Sequence, residues 1–273
     1  MTRNAVFLNV KEILTWLLSL SVLIPVYLLI INSLKTSSEA NTMNFKFPHI
    51  FQWSNYAEAI EKGNLVHSFF NSLLMSTVSA AISILVTSMA AFILVRNKDK
   101  WNKFIYNYFF LGLVAPLNYV STIKVLQTVH LQNTFTGIIL IFATLGIPFA
   151  VFLYYGFIGS VPRELDEAAI IDGCGLGRLF FNVVFPLLKP VTITGFILNF
   201  LGAWNDFVTP LYLLNRQEKL GMINSIYNFF GVHFNDWNMI FTIIILTVLP
   251  VLILYIVGQR YIISGMTSGS VKG

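Results

Sequence analysis

Cysteine and charge are both scarce in this sequence. Asp, Glu, Lys and Arg together make up 11% of its 273 residues, and there is one cysteine, Cys174. A single thiol excludes an intrachain disulfide framework. The four histidines stand in separate places without ligand spacing, so no metal site is predicted. A phosphate-binding G-x-x-x-x-G-K-[ST] loop is also missing, which excludes an ATP site of that kind.

Apolar residues make up most of the sequence. They are 56% of the chain and include 25 Phe, and the mean hydropathy is +0.74. Because a bilayer core of about 30 Å takes roughly 20 helical residues to cross, long apolar runs predict membrane spans. Six such runs are present, at approximately 13–33, 69–94, 105–126, 136–158, 190–213 and 238–258. The sequence therefore predicts an all-α membrane protein, with one transmembrane domain over residues 1–273 and six transmembrane helices.

The basic residues predict the orientation. Most of the 17 Lys and Arg fall on one side if the N-terminus is inside the cell, and short cytoplasmic loops are enriched in these residues. Both termini are therefore expected in the cytoplasm, in a bacterial-type cell membrane. The first run lacks a cleavage site and is expected to remain as a span. No basic stripe interleaved with aromatics occurs, so the net charge of +5 does not indicate a nucleic-acid partner.

The fifth run ends in polar residues. Trp204, Asn205 and Asp206 lie in the outer third of an otherwise apolar helix, and an acid inside the membrane is a functional-site hypothesis. Two interpretations stay open: Asp206 acts in a solute path, or it reaches interfacial water while Trp204 belongs to an aromatic belt. Asn199, deeper in the same helix, is a candidate for an interhelical hydrogen bond.

The cytoplasmic segment 159–189 concentrates acids in an otherwise apolar chain, with Glu164, Asp166, Glu167 and Asp172 within nine positions. We predict a helix over Pro162–Asp172, with Ser160 as its cap and acids in its first turn. Gly173 is expected to end it as a left-handed cap. Helical spacing predicts one smooth face, made of Leu165, Ala168, Ala169 and Asp172. Such a helix either docks into a groove on a partner or only connects two spans.

This segment resembles a known motif. Glu167-Ala168-Ala169, then Gly173, and later Val183, Phe185 and Pro186 match the spacing of the EAA loop in permeases of binding-protein-dependent ABC transporters. Val183 and Phe185 replace the Ile and Leu of the family pattern. Other stretches resemble the carbohydrate-uptake branch, in particular the maltose-type six-span permease with a C-terminal cytoplasmic tail: NSLKTSSEA, FFNSL, WNDF and QRYIISGMTSGSVKG.

The resemblance implies the architecture of a type I ABC importer permease. The chain would pair with a paralogous permease around a translocation path and insert its loop helix into a cytoplasmic ATPase dimer. ATP and Mg²⁺ would be bound by that ATPase, with no cofactor in this chain and no catalysis by it. An extracellular or periplasmic solute-binding protein would deliver the solute. The coupling residues implied are Glu167, Ala168, Ala169, Asp172, Gly173 and Pro186, and the tail expected to contact the ATPase is Gly269, Ser270, Val271, Lys272 and Gly273.

The function predicted is that of a membrane subunit of an ATP-driven sugar or oligosaccharide importer. Aromatic rings stack on sugar faces and amides bond hydroxyls. Candidates for the solute path are therefore Asn118, Tyr119, Trp204, Asn205, Asp206 and Phe207. The alternatives are an importer for another solute, such as a polyol phosphate, or a stand-alone secondary transporter. An intramembrane enzyme is disfavoured because no nucleophile with a base, and no metal triad, is found at membrane depth.

Overall fold

The computed structural model describes residues 2–229 and 236–268, and within them the chain forms helices and no strands. The α-helices are α1 Thr2–Ser33, α2 Ser37–Ala40, α3 Ser54–Lys62, α4 Leu65–Arg96, α5 Lys100–Gly112, α6 Tyr119–Thr128, α7 Phe135–Ile158, α8 Glu164–Ile171, α9 Leu176–Arg178, α10 Phe185–Leu187, α11 Lys189–Asn205, α12 Val208–Leu213 and α13 Trp237–Ser268. A π-helical turn, Leu179–Val184, joins α9 to α10. Two 3₁₀ segments follow α12, at Gln217–Lys219 and Met222–Phe229.

Four of the described helices are long and apolar enough to cross a membrane: Leu14–Ser33, Leu65–Arg96, Phe135–Ile158 and Trp237–Tyr261. A fifth candidate is a bent pair, Leu176–Leu187 with Lys189–Asn205, whose axes differ by 79°. The predicted count of six spans and the orientation of the termini stay predictions.

The predicted third and fifth spans are each interrupted. The run 105–126 falls on α5 and α6, and residues 113–118 between them are not helical. Pro116 lies in this break, where its ring disfavours helix in the preceding residue, and the Asn118 side chain accepts from Ser121 N at 3.0 Å to start α6. The run 190–213 contains α11 and α12 with a break at Asp206 and Phe207. Both breaks expose backbone that a continuous helix would satisfy.

The described residues fall into two compact units. One contains the described part of Met1–Val66 with Ser225–Leu249, and the other contains His67–Asn224 with the described part of Pro250–Gly273. α4 and α13 each begin in the first unit and continue into the second. The single domain predicted over 1–273 stays a prediction.

The first unit is held by a buried polar network at the end of α1. Asn55 of α3 donates from Nδ2 to Ser33 O at 2.8 Å and to Lys35 O at 2.9 Å. Ser33 is the last residue of α1 and Lys35 lies just beyond it, so neither carbonyl has an intrahelical donor. Lys35 is buried, and its Nζ donates to Asn32 Oδ1 at 2.8 Å and Asn44 O at 2.9 Å. Burial lowers the pKa of Lys35, against the opposing charge of Glu39.

The core of the second unit lies where α4, α7 and the segment 161–191 meet. Its buried members are Ile84, Ala91, Phe92, Val95, Tyr154, Ile158, Val161, Ala169, Leu179, Phe180, Val184, Leu188 and Val191. Phe180, in the π-helical turn, is central to the aromatic packing, because its ring lies 5.6 Å from that of Phe92 and 5.7 Å from that of Phe185. The polar segment is therefore anchored on the spans by its own apolar residues.

Candidate functional site

The loop helix predicted in segment 159–189 is present as α8. It covers Glu164–Ile171 instead of starting at Pro162, and Arg163 takes the N-cap position without a side-chain cap. The predicted cap by Ser160 is wrong, because its hydroxyl donates to Phe157 O at 2.7 Å and so serves the end of α7. Acids do occupy the first turn, where the helix dipole favours them.

Gly173 ends α8 in the left-handed conformation that the sequence predicts. Its φ is +80°, a value that side chains with a Cβ disfavour. Gly173 N donates to Ile170 O at 3.0 Å, and Cys174 N donates to Ala169 O at 2.9 Å. This pair of bonds is a Schellman motif, which satisfies two of the last carbonyls of the helix.

The sequence predicts that Ala168 and Ala169 share one free face of the helix. In the structure they do not. Ala169 is 8% exposed and belongs to the core with Leu179, Phe180 and Val184, whereas Ala168 is exposed. Packing decides this outcome, because the π-helical turn folds back over α8 and covers one side of it. Ala169 therefore anchors α8 to its own chain and is not free to meet a partner in this conformation.

The exposed face of α8 mixes two acids with one small and one aliphatic side chain. It consists of Glu167, Ala168, Ile171 and Asp172, and Ile171 is 86% exposed. Leu176, in α9, is 77% exposed. Aliphatic side chains that stand in water at the end of a polar loop indicate a surface that something covers.

Two arginines fasten the beginning of α8 to the end of α4. Arg96 pairs with Asp166, with Nη2 donating to Oδ1 at 3.2 Å, and its Nη1 donates to Val161 O at 3.2 Å. In return, Arg163 donates from Nη2 to Val95 O and Arg96 O, both at 3.2 Å. Both side chains of the Arg96–Asp166 pair are 12% exposed. We call these four contacts the arginine clamp.

The other predicted coupling residues differ in what the structure shows. Pro186 is exposed and lies within α10, directly after the π-helical turn. Phe185 beside it is half-buried and packs on Phe180. The predicted tail, residues 269–273, lies outside the described residues.

A second cluster lies where the interrupted third and fifth runs meet. Tyr119, at the start of α6, has its hydroxyl 3.3 Å from Thr209 Oγ1. Thr209 donates in turn to Asp206, from Oγ1 to Oδ2 at 2.6 Å and from N to Oδ1 at 2.8 Å. Because Thr209 Oγ1 is the donor to Asp206, the Tyr119 hydroxyl is the donor to Thr209. The ring of Tyr119 also stacks on Tyr212 with centroids 4.8 Å apart.

This cluster unites some of the predicted path residues and separates others. Trp204 is 1% exposed, packed between Phe69 at 5.8 Å and Phe200 at 5.4 Å. It therefore cannot touch a solute in this conformation, against the prediction. Asn205 is exposed and Phe207 is half-buried. Asn118 serves as the cap of α6.

Asp206 also lines a cleft between α7 and α11. The cleft holds about 270 Å³. Its remaining lining is mostly apolar, from Phe142, Leu145, Gly146, Phe149, Leu198, Gly202 and Ala203, with one amide from Asn199. Asn199 lies against Gly146, so close that a Cβ on Gly146 would stand 2.0 Å from Asn199 Oδ1. The cleft thus offers apolar and aromatic surface with one amide and one carboxylate.

Thr209 and the Arg96–Asp166 pair were missed in the sequence analysis. Thr209 gives no signal beyond standing three residues after Asp206, the spacing of an N-cap contact. In the sequence, Arg96 is only one of the basic residues on the predicted inner side, and Asp166 is only one of the acids in the first turn of the predicted helix. Among the described residues, no group of three or more His, Cys, Asp or Glu could hold a metal ion.

The fold and the segment 159–189 together define a class of protein. It is a polytopic helical membrane protein in which a short helix, ended by a glycine, is attached to the end of a long apolar helix. The chain belongs to the family described as "Binding-protein-dependent transport system inner membrane component", whose model matches residues 83–268. It is therefore a multi-pass membrane protein and the permease component of an ABC transporter.

Individual relatives match over nearly the whole chain. The chain is 33% identical over 266 residues to the "Probable starch degradation products transport system permease protein AmyC" of Thermoanaerobacterium thermosulfurigenes, covering 96% of this chain and 97% of that protein. It is 34% identical over 253 residues to the "Melibiose/raffinose/stachyose import permease protein MelC" of Bacillus subtilis (strain 168), covering 92% and 91%.

A solved structure supports the fold. The chain matches one described as "Crystal structure of a bacterial ABC transporter involved in the import of the acidic polysaccharide alginate", with a TM-score of 0.83 and 19% identity. The match covers 96% of this chain and 98% of the other. The predicted all-α importer permease architecture is confirmed at the level of the fold.

Proposed function

We propose that this chain is a membrane subunit of an ATP-driven importer of sugars or oligosaccharides, that it forms half of the translocation path, and that it works by alternating access. A second permease would supply the other half, and a solute-binding protein would deliver the solute. A cytoplasmic ATPase dimer would bind ATP and Mg²⁺. The observation that carries the proposal is the exposed face of α8, which is free toward water on one side and anchored to the spans on the other.

The shape of α8 supports its docking into the ATPase. Eight residues make a helix about 12 Å long, which is short enough to sit in a groove. Glu167 offers a charge-assisted contact, while Ala168 lets another surface approach closely. Ile171 and Leu176 add exposed aliphatic surface, which is unfavourable in water and suits contact with a partner. The interpretation of α8 as a mere connector leaves this exposure unexplained.

Co-purification with the ATPase tests this docking. Glu167→Arg and Gly173→Pro should each abolish retention of the ATPase on the tagged permease pair, because the first reverses the charge of the docking face and the second destroys the turn that ends α8. Glu61→Arg makes the same charge change on the exposed side of α3 and should retain the ATPase. Undiminished ATPase coupling in the Glu167→Arg, Gly173→Pro double variant would refute the docking role of α8.

The solute path is proposed to include the cleft between α7 and α11. Phe149 and the leucines offer apolar surface to a sugar face, and Asp206 has acceptor capacity left after its two bonds from Thr209. A carboxylate at this site disfavours an anionic solute such as a polyol phosphate, since like charges repel. The names of the AmyC and MelC relatives also favour oligosaccharides.

Uptake into proteoliposomes separates the candidate solutes. The assembled transporter with its binding protein should accumulate a labelled neutral oligosaccharide, such as a maltodextrin or raffinose, only with ATP inside. Accumulation of a polyol phosphate in preference to both sugars would favour the alternative solute class. Full transport by this chain alone, without ATP, would show a secondary transporter and overturn the proposal.

A further inference from the structure

α4 differs from the other long helices because it contains no helix-breaking residue. Its 32 residues, Leu65–Arg96, contain neither proline nor glycine. Proline lies inside α1 at Pro25, inside α7 at Pro148 and inside α13 at Pro250, and the pair ending in α11 is bent by 79°. Since sharp kinks in helices arise almost always at proline, glycine pairs or π-bulges, α4 lacks each of the usual sources of a kink.

The arginine clamp holds one end of this helix. Arg96 is the last residue of α4 and pairs with Asp166 in α8. Arg163 donates to the carbonyls of Val95 and Arg96, which have no intrahelical donors at a helix end. Because each element donates hydrogen bonds to the other, α8 cannot move without moving the end of α4 or breaking a largely buried ion pair.

The opposite end of α4 is fastened to the segment Glu218–Met222 in the same unit. Asn71 donates from Nδ2 to Glu218 O at 2.8 Å and to Leu220 O at 3.1 Å. Ser72 Oγ accepts from Met222 N at 2.8 Å. Both side chains are buried, at 6% and 4% exposure. These three bonds, which we call the outer pins, tie backbone groups of the segment to one turn of α4.

The two attachments are far apart along one rigid element. Asn71 and Arg96 are separated by 25 positions in an uninterrupted helix, which is about 37 Å at 1.5 Å per residue. Between them the helix presents small side chains to the core, and Ser76, Ala80, Ser83, Thr87 and Ala91 are fully buried. Small side chains let neighbouring helices approach closely. The helix is therefore supported along its length as well as at its ends.

We propose that α4 is a strut that transmits displacement of α8 to the segment Glu218–Met222, with Arg96, Asp166, Asn71 and Ser72 as its positioning residues. This inference rests on the proposed function, because it assumes that the ATPase moves α8. The strut couples the surface that meets the ATPase to a loop on the opposite end of the second unit. A displacement at either end of α4 then displaces the other end, and the residues of the cleft are not needed to transmit it.

A fluorescent probe on the loop tests the strut. Replacing Cys174, the only cysteine, by Ser and then Arg216, which is exposed, by Cys places one label beside the segment. The assembled transporter in nanodiscs is compared without nucleotide and with ATP, Mg²⁺ and vanadate. Asp166→Asn and Ser72→Ala are each expected to reduce the ATP-dependent change in fluorescence at least two-fold, with the ATPase still bound.

Combining the variants gives the sharper test. Independent sites more than 10 Å apart contribute additively, whereas two breaks in one strut should not add. The Asp166→Asn, Ser72→Ala double variant is therefore expected to reduce the signal no more than the stronger single variant, while the losses in melting temperature add. Ser88→Ala is the matched control, because the Ser88 hydroxyl bonds only within α4, to Leu85 O at 3.0 Å, and it should leave the signal unchanged.

Hydrogen exchange in the chain alone provides a second measurement that needs no ATPase. Asp166→Asn should raise exchange of the amides in 218–222 at least two-fold, although it lies at the other end of α4, and Ser88→Ala should not. An ATP-dependent signal and loop protection that survive both single variants would overturn the strut. A transporter that shows no ATP-dependent change before any of these substitutions would instead overturn the proposed function.

Discussion

The close approach of α7 to α11 predicts a specific cost for one methyl group. An Ala at Gly146 would bring its Cβ to 2.0 Å from Asn199 Oδ1, 2.8 Å from Asn199 Cγ and 3.0 Å from Ser83 Oγ. Overpacking of this kind costs about 1–3 kcal/mol, and the greater helix propensity of Ala returns about 1 kcal/mol. Since three atoms from two other helices must move, we take the upper value, which leaves a net loss of about 2 kcal/mol.

The assay is thermal unfolding of the detergent-solubilised chain, followed by tryptophan fluorescence. At about 2–4 °C per kcal/mol for a chain of this size, Gly146→Ala should lower the melting temperature by about 4–8 °C. Gly156→Ala is the matched control in the same helix, since a Cβ there meets nothing within 4 Å. That variant should melt at or slightly above the temperature of the original chain.

A second substitution locates the cost. Adding Asn199→Ala to Gly146→Ala removes the amide that the methyl group strikes and should restore at least half of the lost stability. Equal melting temperatures for Gly146→Ala and Gly156→Ala would refute the close approach of α7 to α11. A double variant that melts lower than Gly146→Ala would place the cost at another contact.

Three further predictions concern the turn, the cleft and the first unit. Gly173→Ala should lower the free energy of unfolding by about 1–2 kcal/mol, because φ is +80°, and Gly173→Asn should lose less; equal losses by chemical denaturation would contradict the conformational reason. Asp206→Asn should retain the fold and lower sugar uptake about ten-fold, and uptake at the original rate would remove Asp206 from the path. Asn55→Ala leaves Lys35 O without its donor and Asn238 Nδ2 without its acceptor, and the two losses should cost about 2–5 kcal/mol by chemical denaturation; a loss below 1 kcal/mol would show that water replaces the amide.

The sequence predicts best where a pattern is local. Four of the six apolar runs, the acids at the start of α8 and the glycine that ends it are local patterns, and the structure has a long helix, an acidic first turn and a left-handed glycine at those places. Pro116 is a helix breaker that the sequence shows, but its effect depends on the neighbours that satisfy the freed backbone. For that reason the division of the third run into α5 and α6 could not be predicted from the run alone.

Contacts between distant segments were beyond the sequence. The side of α8 that is covered depends on the π-helical turn, so Ala169 and Ala168 look equivalent until that turn is placed. Asp166 and Arg96 are 70 positions apart, and Tyr119 and Thr209 are 90 apart. Trp204 reads as an interfacial aromatic, yet the rings of Phe69 and Phe200 enclose it. No single sequence contains a signal for these pairs.

The exposed aliphatic side chains of Ile171 and Leu176 have a consequence for quality control of unassembled copies. In the proposed complex the ATPase would cover these side chains, whereas a copy without the ATPase would leave them exposed to water. Exposed apolar surface is what chaperones and proteases recognise in incompletely formed proteins. Under the proposed docking, the same two residues would distinguish unassembled from assembled copies, and they would make permease that lacks its partners a target for removal.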